Sequence, residues 1–273
     1  MRPPRDDIAA PPFPVDAEWV GADAPRLERL VARGPLLVHF FELAQLNSAR
    51  ALPYVEAWHE RYRDSGLGVL GVHSPRFPFT RDASVVAAAL PGLGIDWPVA
   101  VDSRHAIWRD YGCRGWPSLF LWSRGGALRW YHLGEGDYEA TEEAIRTALA
   151  EAGAEPGQAP PFEPLRPEDA AGAGVVAPSP EVFPGGSPER PFDVSGDGEL
   201  ELDYAGGGVF LAATGEGEVA ARLDGSELSP VAIGRAGLHP VVVHRCHESH
   251  GLRLRVPAGV ELFSLQFPPA PPG

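Results

Sequence analysis

The spacing of apolar and polar positions changes character twice along the chain. Leu36-Leu37-Val38-His39-Phe40-Phe41 is a nearly unbroken apolar run, as expected of a strand buried on both faces. It leads through a short polar junction into a helical pattern over residues 48–64. There Leu52, Val55 and Trp58 line one face, while Glu56, Glu60 and Arg63 point to water. Pro53 inside that pattern predicts a kink. The same reading predicts helices over 24–33, 82–90, 105–111 and 139–150, and strands over 67–73, 97–101, 119–122 and 128–133. Gly125-Gly126 forms the hairpin turn between the last two strands. Strand–helix alternation that ends in an antiparallel hairpin and a closing helix predicts an α/β domain, a mixed sheet flanked by helices.

Residues 153–190 break this pattern with Ala, Gly, Glu and nine prolines, and read as an extended linker partly packed on a domain surface. Beyond it the period becomes two. Leu200, Leu202 and Tyr204 alternate with Glu199, Glu201 and Asp203, and Leu252, Leu254 and Val256 alternate with Arg253 and Arg255. Asp224-Gly225 is a hairpin signal. Short strands between Gly-rich turns predict a small all-β sandwich or jelly roll. The expected organisation is a flexible arm at 1–17, the α/β domain at 18–152, the linker, and the β domain at 191–269.

Composition narrows the partners. The formal net charge of -14 argues against nucleic acid or an anionic membrane surface, both of which ask for a basic face. Every basic residue is arginine, which with 30 Pro and 32 Gly reads as a GC-rich coding bias. Only Cys113 and Cys246 are present, too few for a secreted disulfide framework, so a reducing, cytoplasmic setting is expected. The N-terminal residues show no apolar signal region, and no stretch approaches a membrane span.

The junction carries the chemistry. Phe40, Phe41, Arg50, Leu52, Pro53 and Tyr54 stand at the spacing of the F-W-x-x-x-C-x-x-C-x-R-x-L-P-Y motif, so the stretch resembles the TlpA/DipZ-like thioredoxins. Supporting segments are Gly71-Val72-His73-Ser74-Pro75, Leu93-Gly94-Ile95-Asp96-Trp97-Pro98-Val99, Tyr111-Gly112 and Gly134-Glu135-Gly136-Asp137-Tyr138. The resemblance implies a thioredoxin-like domain over roughly 18–152, a cis bond at Trp116-Pro117, and a C-terminal module similar to carbohydrate-binding jelly rolls. It also puts Gln45 and Ser48 where the two cysteines belong. A carboxamide and a hydroxyl cannot supply the thiolate of disulfide exchange. The expectation is therefore a redox-inactive binding or scaffold protein without a cofactor. Its groove, lined by Phe41, Gln45, Leu46, Asn47, Ser48, Trp116 and Pro117, would take an extended peptide or partner protein by main-chain pairing. The ligand of the β module stays open.

Other candidates stand beside this one. His39 takes the strand position beneath the expected dithiol and reads as a buried histidine satisfied by one hydrogen bond. Ser48 reads as a residue near a helix cap. His73 and Arg76 read as solvated loop residues. Cys113, four residues before Pro117 and next to Arg114, reads as an inert, part-buried cysteine, with a lone peroxide- or disulfide-reactive thiol as the alternative. His244, Cys246, His247 and His250 form the densest set of metal-ligating types, although strand alternation separates His244 and Cys246 from His247. Gly66-Leu67-Gly68-Val69-Leu70-Gly71 spells a dinucleotide fingerprint but lies along a strand and opens no helix. Residues 193–198 imitate half a calcium loop, yet Tyr204 stands where the bidentate Glu is needed, so they read as a turn.

Overall fold

The computed structural model describes residues 5–155, 160, 162–192 and 198–273. The calcium-like turn at 193–197 therefore lies outside the described residues. The chain divides into two compact units. The first comprises Met1–Glu42, Asn47–Pro75 and Arg81–Leu165; the second comprises Leu43–Leu46, Arg76–Thr80 and Arg166–Gly273.

The first unit is built on a seven-stranded mixed sheet. Its strands are β1 (Arg5–Ala9), β2 (Glu18–Val20), β3 (Leu36–Phe41), β4 (Gly68–His73), β5 (Val99–Val101), β6 (Ser118–Trp122) and β7 (Ala127–Leu133), in the order β1-β7-β6-β3-β4-β5-β2. The central β3 runs parallel to β4 and antiparallel to β6. All six of its residues are buried, as the unbroken apolar run requires. Its helices are α1 (Leu27–Arg33), α2 (Leu46–Tyr62), α3 (Ala83–Ala89), α4 (Ala106–Asp110) and α5 (Tyr138–Glu151), with Pro53 inside α2. The side chains of Asp82 and Asp102 accept backbone N–H groups at the starts of α3 and α4.

Strand alternation sends Leu36, Val38 and Phe40 into one core cluster with Leu70, Val72, Ile107, Tyr111 and Trp122. Leu37, His39 and Phe41 face the other way. There α2 and α5 are tied together by a stacked Tyr54–Tyr138 pair, 3.7 Å between centroids, and by buried Glu142. The Glu142 carboxylate accepts the Tyr62 hydroxyl at 2.6 Å and the Phe162 N–H at 2.9 Å. Part of the expected N-terminal arm is strand: β1 pairs with β7, and Ile8 and Phe13 pack against the core cluster. The short strand β2, paired with β5, had no alternation long enough to announce it.

The second unit is all-antiparallel. Its strands are β8 (Gly198–Gly215), β9 (Gly217–Leu223), β10 (Ser226–Glu227), β11 (Val231–Ile233), β12 (Gly237–Val256) and β13 (Val260–Gln266). The long β8 and β12 form a ribbon, with β9 alongside one end and β13 alongside the other. Ala221, Leu252 and Leu254 from one end share a core cluster with Leu211, Leu262 and Leu265 from the other. The ribbon is thus folded over its own apolar face, in keeping with the expected β-sandwich. Much of the proline-rich linker takes part in this packing. Val182 bridges Leu265, Val176 bridges Ala270, and the Phe192 N–H donates to the Leu262 carbonyl.

Two short segments from the α/β sequence belong to this second unit. Phe77 and Phe79 of Arg76–Thr80 pack on Phe263, with Ala44 and Ala212 in the same cluster. Arg76 is no solvated loop residue: its guanidinium pairs with Glu181 at 2.8 Å and lies 5.1 Å from the Phe183 ring.

Candidate functional site

The turn after β3 is where the sequence places an active site, and its polar groups are already engaged. The Glu42 N–H donates to Ser48 Oγ at 3.1 Å, so Ser48 reaches back from the first turn of α2 to the end of the strand. Within the second unit, the Leu46 N–H donates to Gln266 Oε1 at 2.6 Å, and Gln266 Nε2 donates to the Ala44 carbonyl at 2.7 Å. One carboxamide therefore satisfies a donor and an acceptor on either side of Gln45. Gln45 and Ser48 are both buried. Sequence reasoning missed Gln266; its only signal was a lone amide at the inward end of an apolar strand.

The other predicted site residues divide between the units. Phe41, Asn47, Ser48, Trp116 and Pro117 belong to the first, Gln45 and Leu46 to the second. The Trp116-Pro117 bond is cis. Trp116 Nε1–H donates to the Ser74 carbonyl at 2.9 Å, and its ring lies 4.5 Å from that of Trp108. Arg50 of α2 pairs with Glu135, which also accepts the Tyr138 hydroxyl.

Two expectations in the first unit are corrected, those for His39 and His73. His39 is fully buried, but among the described residues neither ring nitrogen has a hydrogen-bond partner; its ring stacks on Phe41 at 5.3 Å. Burial depresses its pKa to about 3, so it is a neutral core residue. His73 is no loop residue: as the last residue of β4, in register with Phe41, it is fully buried, 3.9 Å from Glu42. Burial also takes its pKa to about 3. Cys113 joins the core cluster with Tyr111 and Phe120, and burial pushes its thiol up to about 12, with a Ser118 hydrogen bond opposing only in part. Arg114 does not activate it. A thiol held protonated in the core is a poor nucleophile.

The second unit assembles a different constellation. In the β12–β8 ladder Val243 pairs with Gly208 and Glu248 pairs with Gly206, so residues 244–247 bulge out opposite Gly207. Gly208, at φ 145°, makes this possible, since a Cβ there would lie 2.3 Å from the Val242 carbonyl oxygen. The bulge separates the predicted ligands: it turns His247 toward Ala177, with Nε2 3.3 Å from that carbonyl, and brings His244 to the face that carries Glu248 and His250. The His244 and His250 rings are 4.6 Å apart. His244 Nε2 meets the Tyr204 hydroxyl at 2.7 Å; His250 Nδ1 meets Asp224 Oδ2 at 2.7 Å, and its Nε2 meets Glu248 Oε2 at 3.0 Å. The hydrogen bond to Asp224 raises the His250 pKa. Cys246 Sγ lies 3.5 Å from Glu248 Oε1, and that contact raises its thiol pKa. Glu248 was legible two residues before His250 on one strand face; Tyr204 and Asp224 come from distant strands and were not.

No family model matches the chain. Protein DipZ of Mycobacterium bovis is 29% identical over 269 residues, covering 85% of this chain, which spans only 38% of that relative's length. Thiol-disulfide oxidoreductase YkuV of Bacillus subtilis is 27% identical over 133 residues, covering 49% of this chain and 88% of YkuV. Among solved structures, a thioredoxin-like protein in its oxidised form is 26% identical, covering 55% of this chain and 97% of that one, with a TM-score of 0.46. The sheet order, the strand-to-helix junction and the two sequence relatives define a thioredoxin-like protein. Within that class, the length of the DipZ match and the presence of an α/β unit and a β unit make the chain similar to the TlpA/DipZ-like thioredoxins.

Proposed function

We propose that this chain is a redox-silent relative of the TlpA/DipZ-like thioredoxins, a binding or scaffold protein in which Gln45 and Ser48 stand at the two cysteine positions. The observation that carries the reading is the bonding of the turn: Ser48 Oγ holds the Glu42 N–H, and Gln266 holds both Ala44 and Leu46. A disulfide-exchange site needs an exposed thiolate at a helix N-terminus and a second sulfur to resolve the mixed disulfide. Here the candidate side chains are an amide and a hydroxyl, both buried, and the Glu42, Ala44 and Leu46 backbone groups beside them are bonded to internal partners. The cysteines are free, and they belong to different units. That sparing use of cysteine supports a reducing, cytoplasmic place of work. Among the described residues no helix is long and apolar enough to cross a membrane.

An extended peptide or partner protein remains the proposed partner class for the first unit, through main-chain pairing near Pro117. The test is dithiothreitol-driven reduction of insulin. The chain is expected to leave the rate at background, and a rate matching an intact dithiol thioredoxin overturns the reading. In parallel, Gln45→Cys/Ser48→Cys should form an intramolecular disulfide on mild oxidation. Failure to do so would remove the assignment of those positions.

A further inference from the structure

We propose that His244, Glu248 and His250 form a mononuclear site for a divalent first-row transition ion, zinc foremost. The three residues offer one ligand atom each, and those atoms all lie within 4.8 Å of one another. Glu248 Oε2 is 3.0 Å from His250 Nε2 and 3.8 Å from His244 Nδ1. Two ligands each about 2.1 Å from one tetrahedral zinc ion are themselves roughly 3.3 Å apart. The observed separations bracket that value, so one ion can bind all three with small side-chain shifts.

The outer contacts make this more than a polar cluster. Each imidazole is gripped through the nitrogen that faces away from Glu248: His244 Nε2 by the Tyr204 hydroxyl, His250 Nδ1 by Asp224. Both remaining nitrogens, Nδ1 of His244 and Nε2 of His250, turn toward the same carboxylate. Fixing one ring nitrogen to orient the lone pair of the other is how proteins prepare histidine for a metal, with a carboxylate as a common outer partner. Asp224 is itself immobilised: its Oδ1 accepts the Gly251 N–H at 2.9 Å and its own N–H donates to the Gly251 carbonyl at 2.9 Å. Tyr204 is buried and stacked on Phe267 at 5.1 Å.

Charge agrees with this reading. Glu248 and Asp224 bring two negative charges to a pair of imidazoles, which favours a dication. Two histidines and one carboxylate leave at least one position for water or a ligand, and the Glu248 side chain, 39% exposed, gives access from solvent. Two imidazoles disfavour calcium and magnesium, which take oxygen ligands. The site lies wholly in the second unit and shares no residue with the turn after β3.

The experiment uses the full chain without a histidine tag, stripped with chelator, and titrated with zinc chloride by calorimetry. One equivalent should bind at micromolar affinity or tighter. Glu248→Gln and His250→Gln, each shown to be folded by circular dichroism, should weaken binding at least 30-fold. Cys246→Ser and His247→Gln should change it less than 3-fold. Cobalt substitution should give a visible d–d band with no thiolate charge-transfer band. Absence of zinc uptake by the wild-type chain overturns the proposal and leaves a hydrogen-bonded cluster alone. So does undiminished binding by Glu248→Gln, or a thiolate band showing that Cys246 is the ligand.

Discussion

The turn after β3 and the bulge in β12 treat their polar side chains in opposite ways. At the turn, Gln45 and Ser48 are buried and the backbone around them is bonded within the protein, by Ser48 Oγ and by Gln266. At the bulge, two imidazole nitrogens and a carboxylate converge on one another while their outer atoms are held in place by Tyr204 and Asp224. The first arrangement consumes the valences of a place where the fold usually offers them. The second directs valences at a common point. Position in a familiar fold is thus a weaker guide to chemistry than the state of each donor and acceptor.

The sharpest way to break the comparison at the turn is Gln266→Leu. It keeps the buried volume and strands the Leu46 N–H and the Ala44 carbonyl together, which should cost about 2–4 kcal/mol in urea unfolding. A loss below about 0.5 kcal/mol would mean that the carboxamide does not brace the turn.

The next effect depends on pH. His39 and His73 have folded pKa values near 3 against 6.5 for the free side chain. Between those limits the unfolded chain binds protons that the folded chain refuses. Stability is therefore full above about pH 6.5 and falls as pH drops toward 3, by up to about 1.4 kcal/mol per pH unit for each histidine. His39→Leu should be neutral or stabilising at pH 7, because it removes a buried ring without partners, and should flatten the acid slope. Denaturant midpoints at pH 7, 6 and 5 check both parts.

The smallest effect lies at the bulge. Tyr204→Phe removes one hydroxyl and frees the His244 ring to turn. Zinc affinity should fall about tenfold while the ligand count stays the same. An unchanged affinity would show that Tyr204 does not orient the ring.

The elements of the first unit were largely legible because periodicity reports them directly. The run over 36–41 is the observed β3, and the helical pattern over 48–64 misses only the first residues of α2. The same pattern was silent on β1 and β2, strands of five and three residues at the sheet edges that carry no repeat. How deeply Cys113 is buried was not legible, because a neighbouring arginine in sequence says nothing about burial. The histidine cluster was half legible. Strand alternation holds for Glu248 and His250 but breaks at a four-residue bulge, which is set by the close approach of Gly208 and leaves no mark in the period. Gln266, more than 200 residues from the turn it braces, could not be found by any local rule.

Redox silence is tested most directly by single turnover. The reduced native chain is mixed with an equimolar peptide carrying one internal disulfide, and the intact masses of both are followed. The peptide should keep its disulfide and the chain should stay reduced at Cys113 and Cys246. Release of reduced peptide with matching oxidation of the chain would contradict redox silence.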